Sequence, residues 1–290
     1  MNPHVVPPPI TPGRVLLDWS LDPVTAAVVV AAGVGYLVGM RRLARREVRW
    51  PTARTACFAT GLLVVVAATQ SGLARYDTVL ISAHAGQHLL LGMVAPLLLA
   101  LGAPITLALQ ATERPVQRRL ARALHHPVVR FVGHPVVAWL AYVAVMVGLW
   151  FSPSYELSLR NDVAHQWTHL VLLGTGYAFC WAVAGLDGGA RQSIHPVRLL
   201  LVLLTVPVHA VVGLALMGSS TVLAGDWYEE LGRTWGASAL GDQHTAGGLL
   251  WAAGDLVTLA LGGIVMLSWM RHEDRAARRL DRLGAVGAET

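Results

Sequence analysis

Apolar residues fall along this chain in seven long runs, at roughly residues 24–40, 53–72, 79–101, 135–151, 162–184, 197–218 and 245–269, separated by shorter polar stretches. At the helical rise of ~1.5 Å per residue, runs of this length reach across most or all of the ~30 Å of hydrocarbon in a bilayer. The pattern predicts an all-α, polytopic membrane protein, a seven-transmembrane-helix bundle forming one domain over 24–270. A polar tail at 1–23 precedes it and a charged tail at 271–290 follows. No internal repeat, phosphate-binding glycine loop or low-complexity segment interrupts the pattern. Glycines such as Gly33, Gly35, Gly39, Gly247 and Gly248 are expected to let helices approach closely, and Pro7-Pro8-Pro9 is a stiff spacer.

Composition agrees, with 54% hydrophobic and 13% charged residues. The positive charge is all arginine, and it alternates between the polar stretches. Arg41, Arg42, Arg45, Arg46, Arg49 and Arg54 occupy the first stretch, Arg114, Arg118, Arg119, Arg122 and Arg130 the third, Arg191 and Arg198 the fifth, and Arg271, Arg275, Arg278, Arg279 and Arg282 the tail. Eighteen of the 22 arginines thus fall on one side, which the positive-inside rule makes the cytoplasm. The other side holds Arg14, Arg75, Arg160 and Arg233 among nine acids. The N-terminus is therefore expected outside and the C-terminus in the cytoplasm. With no basic leader in the first 23 residues, the first span is expected to remain as an anchor. The pI near 9.8 reflects this topology and the lipid bilayer it faces, and no nucleic-acid partner is expected.

The same topology sorts the twelve histidines. His84 and His88 begin the third run, His165 and His169 the fifth, and His244 the seventh, so all five converge on the outer face. His125, His126, His134, His195 and His272 belong to the cytoplasmic side, where a solvated role is expected, and His4 lies in the N-terminal tail. Residues four apart on a helix share a face and can reach one ion. A lone membrane histidine is more often an interhelical hydrogen-bonding group. Two such pairs at equal depth point instead to a metal site.

The neighbours narrow the chemistry. A His-Glu-x-x-His zinc hydrolase needs a glutamate after the first histidine, where Ala85 and Gln166 stand. A diiron oxygenase wants more histidines on one face, and the adjacent pair His125/His126 is on the opposite side. A bis-histidine haem would leave one member of each pair idle. Copper fits best, since imidazole suits it and thioethers favour Cu(I). Met217, at the outer end of the sixth run, is a candidate ligand, while Met93 reads as core filler. Cys57 and Cys180 both fall near the cytoplasmic face and form no Cys-x-x-Cys, which argues against thiol chemistry.

The run His84-Ala-Gly-Gln-His88-Leu-Leu-Leu, followed by Ala95-Pro96-Leu97-Leu98 and Leu101-Gly102-Ala103-Pro104, resembles the signature of the CtaG-type cytochrome c oxidase assembly factors. His165-x-x-x-His169, Gly241-Asp242-Gln243, Leu250-Trp251 and Gly254-Asp255 follow in the matching order, over roughly residues 50–270. The resemblance implies a seven-helix protein of the bacterial plasma membrane that helps copper reach oxidase subunits, with those subunits or other copper chaperones as partners. It carries over to His84, His88, His165, His169 and the Asp242-Gln243 element. The chain departs from the motif at Ala85, where methionine is usual, and at His244, where glutamine is usual. A copper transporter, and a haem- or diiron-dependent enzyme, stand as alternatives to a non-enzymatic assembly factor.

Other polar residues carry expectations of their own. His209, two residues after Pro207 in the sixth run, could bond a carbonyl that the proline frees, or serve as a ligand or relay. Asp255 is eleven residues past His244, about 16 Å deeper, too far to share its ligand shell. Gln70 and Asp77 flank the outer end of the second run and could support the histidines. The stretch 219–244 is the longest outer loop; Trp227, Tyr228 and Trp235 are expected at the membrane interface, with a short helix covering the site. The tail RHEDRAARRLDRL reads as a helix continuing the seventh run.

Overall fold

The structure, a computed structural model, describes residues 6–185 and 195–288; His4 and Arg191 lie outside the described residues. Among these residues every regular element is helical. The N-terminal segment forms a short helix α1 (Pro12–Leu17) and the first long helix α2 (Pro23–Ala44). Helix α2 starts where it does because Asp22 accepts the backbone N–H groups of Val24 and Thr25 and Pro23 presets the first helical φ. Helices α3 (Thr52–Gln70) and α4 (Leu73–Tyr76) form the second apolar run.

The third run is broken into pieces. Helix α5 (Ile81–Leu89) passes through a π-helical turn (Leu90–Val94) into α6 (Ala95–Leu101). Ala103, at φ 48°, then breaks the line before α7 (Pro104–Ala111). The arginine-rich stretch that follows is itself helical, as α8 (Arg114–Leu124) and α9 (Pro127–Val132) with no buried residue in either. The fourth run is α10 (Pro135–Phe151), bent by 68° into α11 (Ser154–Arg160). Then come α12 (Asp162–Ala184), α13 (His195–Gly218), the short α14 (Gly225–Glu230) and α15 (Ala239–Ala288), which carries the expected helical tail. Among the described residues six helical segments, the interrupted second and third runs each counted as one, are long and apolar enough to cross a membrane, and the number is seven if the bent α10–α11 pair is one span.

Helices in lipid gain no hydrophobic drive from each other, so they associate through close packing and interhelical hydrogen bonds. Helix α13 lies along α15, where a Cβ on Gly247 would sit 2.6 Å from the Gly213 carbonyl oxygen. Gly176 of α12 meets the Gly92 carbonyl of the π-helical turn more closely still, which locks together the two helices that carry the histidine pairs. Gly35 and Gly248 have nothing within 4 Å, so the expectation of tight packing fails there. One buried cluster, including Met93, Leu97, Tyr142, Met146, Trp150 and Phe179, fills the centre. A second, between α2, α3, α6 and α7, is built around the stacked rings of Tyr36 and Phe58, 4.0 Å apart.

Two expectations for the arginine-rich side need correction. Arg198 is not in a loop; it occupies the first turn of α13, is 4% exposed, and lays its guanidinium against Gly185. His195 and His272 lie in α13 and α15 and not in loops, half-exposed, with their rings stacked 5.0 Å apart.

Candidate metal centre

Helix α5 runs into the bundle from the Asp77 loop, and i,i+4 spacing puts His84 and His88 on its inner face with ring centroids 4.0 Å apart. Helix α12 starts at the same end, capped by Asn161 through the Ala164 N–H, and carries His165 and His169 with centroids 4.4 Å apart. Packing of the two helices joins the pairs, with 5.7 Å between the His84 and His165 rings. The 68° corner between α10 and α11 turns Trp150 and Tyr155 onto this patch, 6.0 and 5.1 Å from the His84 ring. His84 is fully buried, and His88 and His169 are 5% exposed.

Hydrogen bonds fix the orientation of three of the four rings. His84 Nδ1 faces the backbone carbonyl of Asp77 at 3.1 Å, which can only accept, so Nδ1 carries the proton. His165 Nε2 donates to Asp77 Oδ2 at 3.1 Å by the same logic. Gln87 Nε2 donates to Asp77 Oδ2 at 2.7 Å and to the Ala68 carbonyl at 3.0 Å, which turns its Oε1 toward His169 Nε2 at 2.9 Å. His169 therefore donates from Nε2. The Ser158 carbonyl lies near His165, but the Nδ1 of that ring makes no hydrogen bond.

That leaves His84 Nε2, His165 Nδ1, His169 Nδ1 and both nitrogens of His88 buried without a partner. A buried polar atom without a partner costs about 1–3 kcal/mol, and native proteins hold few. Five in one patch, three of them lone pairs held in place by an N–H bond from the far side of the ring, is the arrangement of imidazoles prepared to bind a metal ion. Asp77, His165 and His169 also offer ligand atoms within 4.8 Å of one another. Asp77 Oδ2 is already engaged by Gln87 and His165, so the carboxylate serves better as the acceptor that orients the ring than as a ligand. Burial disfavours that carboxylate, and the adjacent imidazoles, His165 foremost, outweigh it and hold the Asp77 carboxyl below its ordinary pKa.

The other candidates fall elsewhere. Asp242 accepts the Ser82 backbone N–H at 3.2 Å and the Ser82 hydroxyl at 2.5 Å, capping the start of α5 from α15. Gln243 accepts from the Leu223 N–H at 2.7 Å and donates to the Leu216 and Thr221 carbonyls. His244 is turned the other way. At 100° per residue it points some 200° from Asp242, and its Nε2 lies 3.2 Å from the Ser219 carbonyl. No ring contact joins it to the four histidines among the described residues, so the expected fifth imidazole is not gathered with them. Met217 is 39% exposed and packs against Gly247, away from the patch. Gln70 bonds the backbone of Asp22, through its Oε1 to the N–H and its Nε2 to the carbonyl, and supports α2 instead of the histidines.

His209 does not bond a carbonyl freed by Pro207. Its Nε2 lies 3.1 Å from the Tyr142 hydroxyl, and its Nδ1 faces Thr258 Oγ1 at 3.4 Å and Asp255 Oδ1 at 3.3 Å, the last off the line of a hydrogen bond. The aromatic residues of the long loop turn inward. Trp227 and Tyr228 are each 8% exposed; Trp227 donates to the Thr78 carbonyl and Tyr228 shares a 2.7 Å hydrogen bond with Tyr155. Helix α14 thereby covers the patch, and the expected interface position of these rings is replaced by packing. Arg160 fastens it through Glu230 at 2.8 Å, with its guanidinium over the Trp227 ring.

Gln87, Trp150, Tyr155 and Ser82 are the participants that sequence reasoning missed. Only Gln87 carried a signal, its place three residues after His84 on the same helical face.

Three mycobacterial proteins are similar over nearly the whole chain. Uncharacterized proteins of Mycobacterium bovis and Mycobacterium tuberculosis are each 34% identical over 286 residues, and one of Mycobacterium leprae is 31% identical over 286 residues. Each alignment covers 96% of this chain and 43% of the relative, so the chain spans less than half the length of these proteins. No solved structure matches. A family model does match, over residues 34–272, a stretch that holds both histidine pairs, Asp77, Gln87 and Asp242. The chain belongs to that family, the cytochrome c oxidase caa3 assembly factors (Caa3_CtaG).

Proposed function

We propose that this membrane protein holds copper as cargo at the extracytoplasmic end of its bundle and passes it to subunits of cytochrome c oxidase during assembly. The observation that carries the reading is the set of five buried, unpartnered imidazole nitrogens on His84, His88, His165 and His169. Family membership supplies the process, oxidase assembly. The orientation is supported by the arginines, eighteen of 22 of which fall, by sequence, in the stretches on the side away from the histidine pairs. The apolar helices and the bacterial relatives support a location in the bacterial plasma membrane.

Neutral imidazoles bind, while Asp77 and Gln87 keep the rings turned and α14 limits access of water. The role so proposed is one of holding and release. His84, His165 and His169 would hold the ion, with His88 as the group free to exchange partners.

The test is metal analysis of the full chain purified in detergent under reducing conditions. Wild type is expected to retain copper, and His84→Ala and His169→Ala to lose it. A folded wild-type protein that takes up no copper overturns the reading.

A further inference from the structure

Directly inside the histidine patch lies a small cavity of ≈ 30 Å³, lined by His88, Met93, Met146, Trp150, Tyr142 and His209 among others. It has room for an unhydrated ion or a water or two, and none for an organic ligand. Met93 comes from the π-helical turn and Met146 from α10, and both are nearly buried, at 5% and 8% exposed. Methionine in a core is ordinarily filler. Here the polar lining matters more. His209 is already hydrogen-bonded to Tyr142, which leaves His88, with neither nitrogen partnered, as the group facing the cavity unsatisfied. A water there would find few of the polar partners it needs.

Imidazole with two thioethers is a soft donor set, suited to Cu(I) and poorly suited to Zn(II) or Cu(II). We propose that His88, Met93 and Met146 form a second, deeper station for Cu(I), reached from the outer histidines through His88. The inference rests on the copper reading of those histidines. Three outer nitrogens with fixed tautomers would accept copper, and the thioether station would then retain it only in the monovalent state. The π-helical turn fits this picture, since such turns recur at functional sites, and this one sits between His88 and Pro96 and presents Met93.

The experiment labels the full chain with selenomethionine, loads it with Cu(I) in detergent under reducing conditions, and records X-ray absorption at the copper edge. Wild type is expected to show selenium as well as nitrogen around copper, and the Zn(II)-loaded protein, read at the zinc edge, nitrogen alone. In Met93→Leu/Met146→Leu, a nearly volume-conserving change that cores tolerate, the selenium signal should vanish and one equivalent of Cu(I) be lost, with the nitrogen signal kept. Bound copper surrounded only by nitrogen in wild type overturns the inner station and leaves the outer one standing. Selenium scattering that persists in the double variant, or that appears with Zn(II), also overturns it. A protein that binds no copper at all removes both.

Discussion

Gln87 joins Asp77 to His169. Its amide nitrogen donates to the carboxylate and its amide oxygen accepts from the imidazole, so one side chain of α5 sets the orientation of a ring on α12. Replacing Gln87 with Leu removes both bonds and leaves His169 Nε2 without an acceptor. Copper affinity in Gln87→Leu is expected to fall by roughly 10–100-fold, the usual effect of losing an orienting partner. A competition titration against a chromophoric Cu(I) chelator measures it, and an unchanged affinity would mean that ring orientation does not matter here.

Asp77→Asn keeps the shape and removes the charge that His165 faces. The Asp77 backbone carbonyl that orients His84 is untouched, so the loss should fall on His165 and, through Gln87, on His169. Affinity is expected to drop by about 10-fold or more, and adding Asp77→Asn to the pair His165→Ala/Gln87→Leu should cost no more than that pair alone. Additive losses would show that Asp77 acts on copper by a route other than His165 and Gln87.

His244→Ala and His84→Ala separate the structure from the sequence pattern. His244 bonds the Ser219 carbonyl and is turned away from the patch, so its loss should leave copper retention unchanged, whereas His84→Ala abolishes it. Equal losses in the two variants would show that α15 turns in the copper-bound protein.

Asp242→Ala removes the acceptor at the start of α5. By analogy with helix caps, about 1 kcal/mol of stability should go with it, read as a lower melting temperature in detergent. Copper affinity should change little if α5 keeps its register.

The spans were legible in the sequence because about twenty apolar residues in a row leave few alternatives. Their ends were less so: the last run was read as 245–269 with a helical tail after it, while α15 begins earlier, at Ala239, where Gly241-Asp242-Gln243-His244 gives no apolar pattern to read. The histidine pairs were legible from the four-residue spacing. The roles of Asp77, Gln87, Tyr155 and Trp150 were not, since they depend on how α5, α11 and α12 meet, and periodicity within one helix carries no information about a neighbour's rotation. His244 was misplaced for the same reason: depth in the membrane follows from counting residues, but direction around the helix needs a contact such as Asp242 with Ser82 to fix it.

The π-helical turn at Leu90–Val94 sets a constraint on which variants of this chain can arise. Such a turn carries one residue more than an α-helical turn, so the stretch between His88 and Pro96 behaves as a built-in insertion. Deleting one residue there would let the turn relax to regular α-helical geometry with little rotation of its flanks, but removing a second would rotate everything before it by about 100° relative to everything after. His84 and His88 would swing off α12 while the apolar length, the hydropathy and both histidine motifs stayed intact. A shortened homologue of this kind would pass every motif search and still lack the patch, so the number of residues between the second histidine and the proline is as informative about function as the histidines themselves.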